Sequence, residues 1–123
     1  MYDYKLLMDI AEVEYADIVD FTEYVGRKLR INLRNTTYID IFYSVKSNIQ
    51  RYIYHWEREE KDGRIYRHDN IPDGNWEHIS TFPKHFHFER YENVKESYLS
   101  DEPKKALREF LEFVRMVLTE AKK

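Results

Sequence analysis

Histidines are the residues of this sequence best suited to chemistry near neutral pH, and they are concentrated in one stretch. Four of the five histidines lie between residues 64 and 88, and the fifth, His55, lies just upstream. The sharpest local pattern is His85-Phe86-His87. In an extended segment both imidazoles point to one face. There they could act as a general acid and a general base, because histidine titrates near neutral pH.

A second cluster, Arg67-His68-Asp69-Asn70, stands at the end of a predicted strand. Cleavage of RNA without a metal needs a base for the 2′-hydroxyl proton, an acid for the leaving oxygen and a cation for the charge on phosphorus. His85 and His87 could fill the two proton-transfer roles, and Arg67 could supply the cation. Asp69 could orient a histidine or cap the loop. His68 completes the predicted catalytic set.

The same side chains allow two other interpretations. His85, His87 and Asp69 could instead ligate a metal ion, since imidazole and carboxylate are common ligands. Alternatively the two histidines only hydrogen-bond within a loop. This alternative stays open because His-x-His alone is a weak signal for a catalytic or metal site. The chain has no cysteine, which excludes disulfides and zinc–thiolate sites. The metal-free interpretation, which needs no cofactor, is the leading hypothesis.

A locally basic segment upstream could contact RNA. Residues 26–58 contain seven basic and two acidic side chains, although the net charge of −3 argues against a protein that coats nucleic acid. Tyr52, Tyr54 and Trp56 share one strand face and could stack on bases if exposed, but such stripes are more often core. His55 faces the other way and is expected to be a half-buried, satisfied histidine. The predicted RNA-binding residues are Arg30, Arg34, Arg51, Tyr54, Trp56 and Lys84.

Hydrophobic periodicity predicts an α+β fold in a single domain that spans residues 1–123. Apolar residues at helical spacing predict an N-terminal helix over 2–15. Strict alternation predicts an antiparallel sheet of four to five strands between Val19 and His68. A histidine-bearing loop is expected over residues 69–80, and residues 81–88, which carry His85 and His87, could form a short extended piece.

The C-terminal segment predicts a second amphipathic helix with an apolar stripe from Leu107 to Leu118. Lys122 and Lys123 would lie at its end, where positive charge suits the helix dipole. No apolar run reaches the length of a membrane span, and the N-terminus lacks the layout of a signal peptide. A cytoplasmic protein without membrane contact is therefore expected.

Two motifs are more specific than any single residue. They are RHDNIP at residues 67–72 and STFPKHFH at residues 80–87, accompanied by Tyr-x-Tyr-x-Trp at residues 52–56 and Glu-Ser at residues 96–97. From about Leu29 to Leu118 the chain resembles the TumE-type toxins of prokaryotic toxin–antitoxin modules. The positions that match the family pattern are Arg67, Asp69, Asn70, Pro72, His85 and His87. The positions that depart from it are Asp73, Gly74 and Lys84, where family members often carry histidine.

The resemblance implies a small cytoplasmic toxin that acts on RNA as a ribonuclease. It also implies a partner, a helix-turn-helix antitoxin encoded beside the toxin. Three hypotheses follow: a metal-independent endoribonuclease, a metal-dependent nuclease or phosphodiesterase with a His/Asp site, and an inactive family member that only binds the antitoxin. A homodimer through exposed sheet edges is a further expectation.

Overall fold

Seven antiparallel strands form one sheet in chain order, and the two terminal helices lie against one of its faces. The computed structural model describes residues 1–120, and the element count refers to these. Lys122 and Lys123 lie outside the described residues. The elements are α1 (Lys5–Glu14), β1 (Val19–Val25), β2 (Lys28–Leu33), β3 (Tyr38–Lys46), β4 (Ile49–Arg58), α2 (Glu59–Asp62), β5 (Arg64–Asp69), a 3-10 turn (Gly74–Trp76), β6 (His85–Glu89), β7 (Val94–Glu96) and α3 (Pro103–Glu120).

The strand count is higher than predicted. The α+β class and the two terminal helices are confirmed. β6 lies largely within the extended piece expected over 81–88, and β7 follows it as a further strand. β6 pairs in register with β5, with Asp69 opposite His85 and Arg67 opposite His87. β6 and β7 are short and rich in polar residues. Their pairing depends on the neighbouring strand more than on intrinsic propensity, so their sequence signal is weak.

The helix-facing side of the sheet is the hydrophobic core. Tyr54 and Trp56, predicted to stack on RNA bases, lie there at 0% exposure. The Tyr54 ring packs edge-on against Phe110 of α3, and Trp56 Nε1 donates to Thr37 Oγ1 at 2.8 Å. Burial of large aromatic rings is a major source of stability. The prediction that these two side chains contact RNA is therefore wrong.

The side chains of each strand alternate between the two faces, and the face opposite the helices carries most of the charged ones. Burial along β2 alternates between exposed or intermediate residues and buried ones, as expected for a strand with one face on the core. This polar side, called the open face below, carries the two arginines and two histidines considered next. Within residues 1–120, helices with the length and apolar character needed to cross a membrane do not occur.

Candidate active site

A row of polar side chains crosses the open face, one from each of five neighbouring strands. The pairing places Arg30 beside Asp40, Asp40 beside His55, His55 beside Arg67, and Arg67 beside His87. Neighbouring strands lie about 4.8 Å apart. Arg67 therefore lies between two histidines whose backbones are roughly 10 Å apart.

Asp69 and His85 form a buried pair in the next row of the same face. His85 Nε2 lies 3.3 Å from Asp69 Oδ1. His85 is 3% exposed and Asp69 is 4% exposed. Asp69 also accepts from Arg67 Nε at 3.1 Å and from the Ile71 amide at 3.0 Å. His85 Nδ1 lies 3.0 Å from the Pro83 carbonyl, which can only accept, so this nitrogen carries a proton.

The pKa shifts of His85 and Asp69 favour the charged form of each side chain. Burial alone would lower the pKa of His85, but the hydrogen bonds to Asp69 and Pro83 and the carboxylate charge outweigh it, so the pKa is raised. Burial alone would raise the pKa of Asp69, but its contacts with His85, Ile71 and Arg67 lower it. An imidazolium facing a carboxylate is therefore favoured, and both ring nitrogens of His85 are already engaged.

His87 differs because one of its ring nitrogens stays available. Its Nδ1 lies 2.7 Å from the Tyr91 carbonyl and must therefore be protonated. Its Nε2 has no hydrogen-bond partner among residues 1–120. Burial lowers the pKa of His87, and the charges of His85 and Arg67 lower it further, against the opposing hydrogen bond to Tyr91 and the charge of Asp69. His87 is thus suited to be a neutral base whose Nε2 accepts a proton.

His55 is the second histidine with an available nitrogen, and the sequence did not single it out as part of the site. Its Nε2 lies 3.1 Å from Glu57 Oε1. Its Nδ1 is buried and has no partner in the described part of the chain, contrary to the expectation of a satisfied histidine. Burial lowers the pKa of His55, while Glu57 favours the charged form and Arg67 opposes it. The only sequence signal was alternation, which places His55 opposite the aromatic stripe of β4.

His68 lies on the core face, away from these groups. Its ring stacks on Phe86 with centroids 4.0 Å apart, and its Nδ1 lies 2.7 Å from Ser97 Oγ. Burial lowers the pKa of His68 to about 3. Alternation along β5 separates it from Arg67 and Asp69. The prediction that His68 belongs to the catalytic set is therefore corrected.

The comparison with protein families agrees with the motif assignment. The family described as Toxin TumE matches residues 4–118, nearly the whole chain. The chain belongs to the TumE toxin family. The resemblance predicted from the two motifs is thereby confirmed, and a toxin of this kind implies an antitoxin partner. Neither a curated protein nor a solved structure matches the chain. All the site residues described above lie within the matched region.

Two of the predicted RNA-binding cations of this TumE toxin lie on the open face. Arg30 is held by Asp40 through two hydrogen bonds of 2.8 and 2.9 Å. Arg51 donates to the Asn70 carbonyl at 2.8 Å. Both guanidinium groups therefore have intramolecular partners, with Arg30 in the same row as Arg67.

The other two predicted RNA-binding cations, Arg34 and Lys84, lie away from this row. Arg34 follows the end of β2 and donates to the Ala16 carbonyl at 2.9 Å. The Lys84 ammonium donates to the Leu99 carbonyl and lies 3.3 Å from Asp101. Its charge lowers the pKa of His68, on the core face. Lys84 is therefore not part of the histidine row.

Two aromatic rings cover the histidines of the TumE toxin from loops at either end of β6. The Trp76 centroid lies 6.5 Å from that of His85 and 6.2 Å from that of His87. The Tyr91 centroid lies 5.8 Å from that of His87 and 6.1 Å from that of His55. The two histidines with an unpartnered nitrogen thus share Tyr91 as a neighbour.

One cluster on the open face also has a geometry that suits a metal ion. One ligand atom from each of Asp69, His85 and His87 lies within 4.8 Å of the others. Both histidines have Nδ1 held by a backbone carbonyl, an orientation common among metal-ligating histidines. The residues of this cluster therefore suit either proton transfer or metal ligation.

Proposed function

We propose that the protein is the toxin of a toxin–antitoxin module and acts as a metal-independent endoribonuclease. The observation that supports this most is the position of Arg67 between His55 and His87 in one cross-strand row. Each of these histidines has a ring nitrogen without a hydrogen-bond partner among the described residues. A guanidinium flanked by two proton-transfer groups is what metal-free phosphodiester cleavage requires.

In this proposal the scissile phosphate lies on Arg67. The ribose 2′-oxygen attacks phosphorus while His87 Nε2 takes its proton. The bond from phosphorus to the 5′-oxygen breaks, and a protonated His55 gives its Nδ1 proton to that oxygen. The products are a 2′,3′-cyclic phosphate and a 5′-hydroxyl. His87 suits the base because burial, its largest influence, lowers its pKa and favours the neutral ring. Burial also lowers the pKa of His55, but Glu57 favours the protonated form that the acid role needs.

His85 and Asp69 act as positioning residues in this scheme. Asp69 Oδ2 accepts from Arg67 Nε at 3.1 Å, which fixes the orientation of the guanidinium. The His85 imidazolium neutralises the same carboxylate, so Arg67 keeps its positive charge available for phosphate. This refines the expectation that His85 and His87 share the two proton transfers.

The test is cleavage of total RNA by the purified protein with and without EDTA, together with His87→Ala. His78→Ala is the matched control, because His78 is exposed and lies outside the row. Cleavage that resists EDTA and is lost only in His87→Ala is expected. Equal cleavage by wild type and His87→Ala would overturn the assignment.

A metal-dependent nuclease is the second candidate, supported by the spacing of Asp69, His85 and His87. A metal there would occupy nitrogens that the first proposal assigns to hydrogen bonding and proton transfer. Stoichiometric metal in the purified protein, with cleavage abolished by EDTA and restored by one divalent cation, would favour this candidate. EDTA-resistant cleavage would exclude it.

The proposed partners are RNA and an antitoxin with a helix-turn-helix domain, in the cytoplasm. β1 and β7 are the two edges of the described sheet, and edge pairing would be the route to a homodimer. Co-purification with the product of the neighbouring gene and light scattering test these two associations. A wild-type protein that binds this partner but cleaves no RNA would instead be an inactive family member.

A further inference from the structure

A small pocket lies on the open face, and the row of polar side chains described above forms part of its lining. It encloses about 270 Å³ and shares Arg67 and His55 with the proposed active site. Ligand pockets for whole small molecules commonly run from about 300 Å³ upward. A pocket of this size therefore suits one ring system rather than a large ligand.

Three of the nine residues that line the pocket carry aromatic rings, and four are charged. Tyr38, Phe42 and Tyr91 contribute to its lining, and Tyr91 is 48% exposed. The Arg30 guanidinium lies 3.9 Å from the Tyr38 ring centroid and packs over that ring. Partly exposed aromatic faces are the usual platforms on which nucleobases stack.

The polar groups of the pocket can read the edge of a flat ring. Glu57 and Asp40 supply carboxylate acceptors, and Lys28 supplies a donor 3.4 Å from Asp40. The charges are therefore mixed, unlike those of a pure phosphate site. Mixed donors and acceptors next to aromatic walls match a nucleobase, which has polar edges and apolar faces.

We propose that this pocket binds the base of the nucleotide on the leaving side of the scissile phosphate, with Tyr91 as its stacking platform. The inference rests on the proposed function, since Arg67 would hold the phosphate and the pocket begins on the His55 side of Arg67. Tyr91 also joins the two sites, because its backbone carbonyl accepts from His87 Nδ1 at 2.7 Å. The side chain would contact the base while the main chain orients the catalytic histidine.

The test measures binding of the four nucleoside 5′-monophosphates by calorimetry, with ribose 5-phosphate as the ligand that lacks a base. Wild type is compared with Tyr91→Ala, which keeps the carbonyl contact to His87. Tyr98→Ala is the matched control, because Tyr98 is 79% exposed and lies outside the pocket. Circular dichroism checks that the variants are folded.

At least one nucleotide is expected to bind more tightly than ribose 5-phosphate, by about 5- to 100-fold, the range of a single base stack. Tyr91→Ala should remove this margin without changing the affinity for ribose 5-phosphate, and Tyr98→Ala should keep it. A wild type that binds no nucleotide more tightly than ribose 5-phosphate, or a margin that survives Tyr91→Ala, overturns the proposal. Cleavage of total RNA by the same preparation reports on the ribonuclease proposal separately, because nucleotide binding does not require turnover.

Discussion

His85 Nε2 lies 3.3 Å from Asp69 Oδ1, in a pair that is almost entirely buried. The second nitrogen of His85 contacts the Pro83 carbonyl. Both ring nitrogens are therefore engaged before any substrate arrives. In the proposed reaction, this relationship assigns proton transfer to His87 and His55. It leaves His85 to stabilise the carboxylate of Asp69, which accepts from Arg67.

Asp69→Asn should lower the pKa of His85. The raised pKa depends on the hydrogen bond and the charge of Asp69, and without them burial favours the neutral ring. The stabilisation from this histidine is present below its unfolded pKa and is lost as pH rises through the raised folded pKa. The stabilisation from the lowered pKa of Asp69 is present above its ordinary value of 3.8 and is lost as pH falls through the folded pKa. Asp69→Asn should therefore cost about 3 kcal/mol near pH 5, as expected when one partner of a buried pair is removed, and less at higher or much lower pH. NMR titration of the imidazole signals and urea unfolding measure both; an unchanged pKa of His85 would contradict the ion pair.

His87→Gln should reduce RNA cleavage more than His85→Gln. His87 takes a proton in the proposed reaction, and loss of a general base costs at least about 100-fold in rate. A glutamine at position 85 can still donate one hydrogen bond to Asp69, so Arg67 keeps its orientation. Single-turnover rates on one defined RNA compare the two variants. Equal losses would mean that His85 transfers a proton itself.

The motifs predicted part of this site before its geometry was known. Alternation correctly placed His85 and His87 on one face, because a two-residue period holds in any strand. It could not show that the segment is a strand, since β6 is defined by its pairing with β5. The same period correctly placed Tyr54 and Trp56 on one face of β4. It could not show which face of the sheet the helices cover. His55 carries no local signal, because its role depends on the register that aligns β4 with β5.

Cleavage should be fastest at a pH below 6.5. Burial lowers the pKa of both His55 and His87 from the ordinary value of 6.5. The rate requires His87 to be neutral and His55 to be protonated, so the optimum lies between the two lowered values. As pH rises above 6.5, the protonated fraction of His55 falls and the rate falls with it. Initial rates from pH 4.5 to 8.5 measure the profile; an optimum above pH 7.5 would exclude His55 as the acid.

His68 should make the fold sensitive to acid. Its folded pKa of about 3 lies well below the ordinary value of 6.5. Between these two values the unfolded chain binds a proton at this position and the folded chain does not. The free energy of unfolding should therefore decrease as pH falls from about 6.5 to about 3, in total by several kcal/mol.

His68→Phe should flatten this slope relative to wild type, since phenylalanine does not titrate and can still stack on Phe86. The lost hydrogen bond to Ser97 lowers stability by a similar amount at every pH, so the slope isolates the titration. Urea unfolding at pH 6.5, 5.5 and 4.5 measures it, with His78→Phe as the exposed control. If His68→Phe keeps the wild-type slope, His68 titrates freely in the folded protein, and its burial against Phe86 does not hold it neutral.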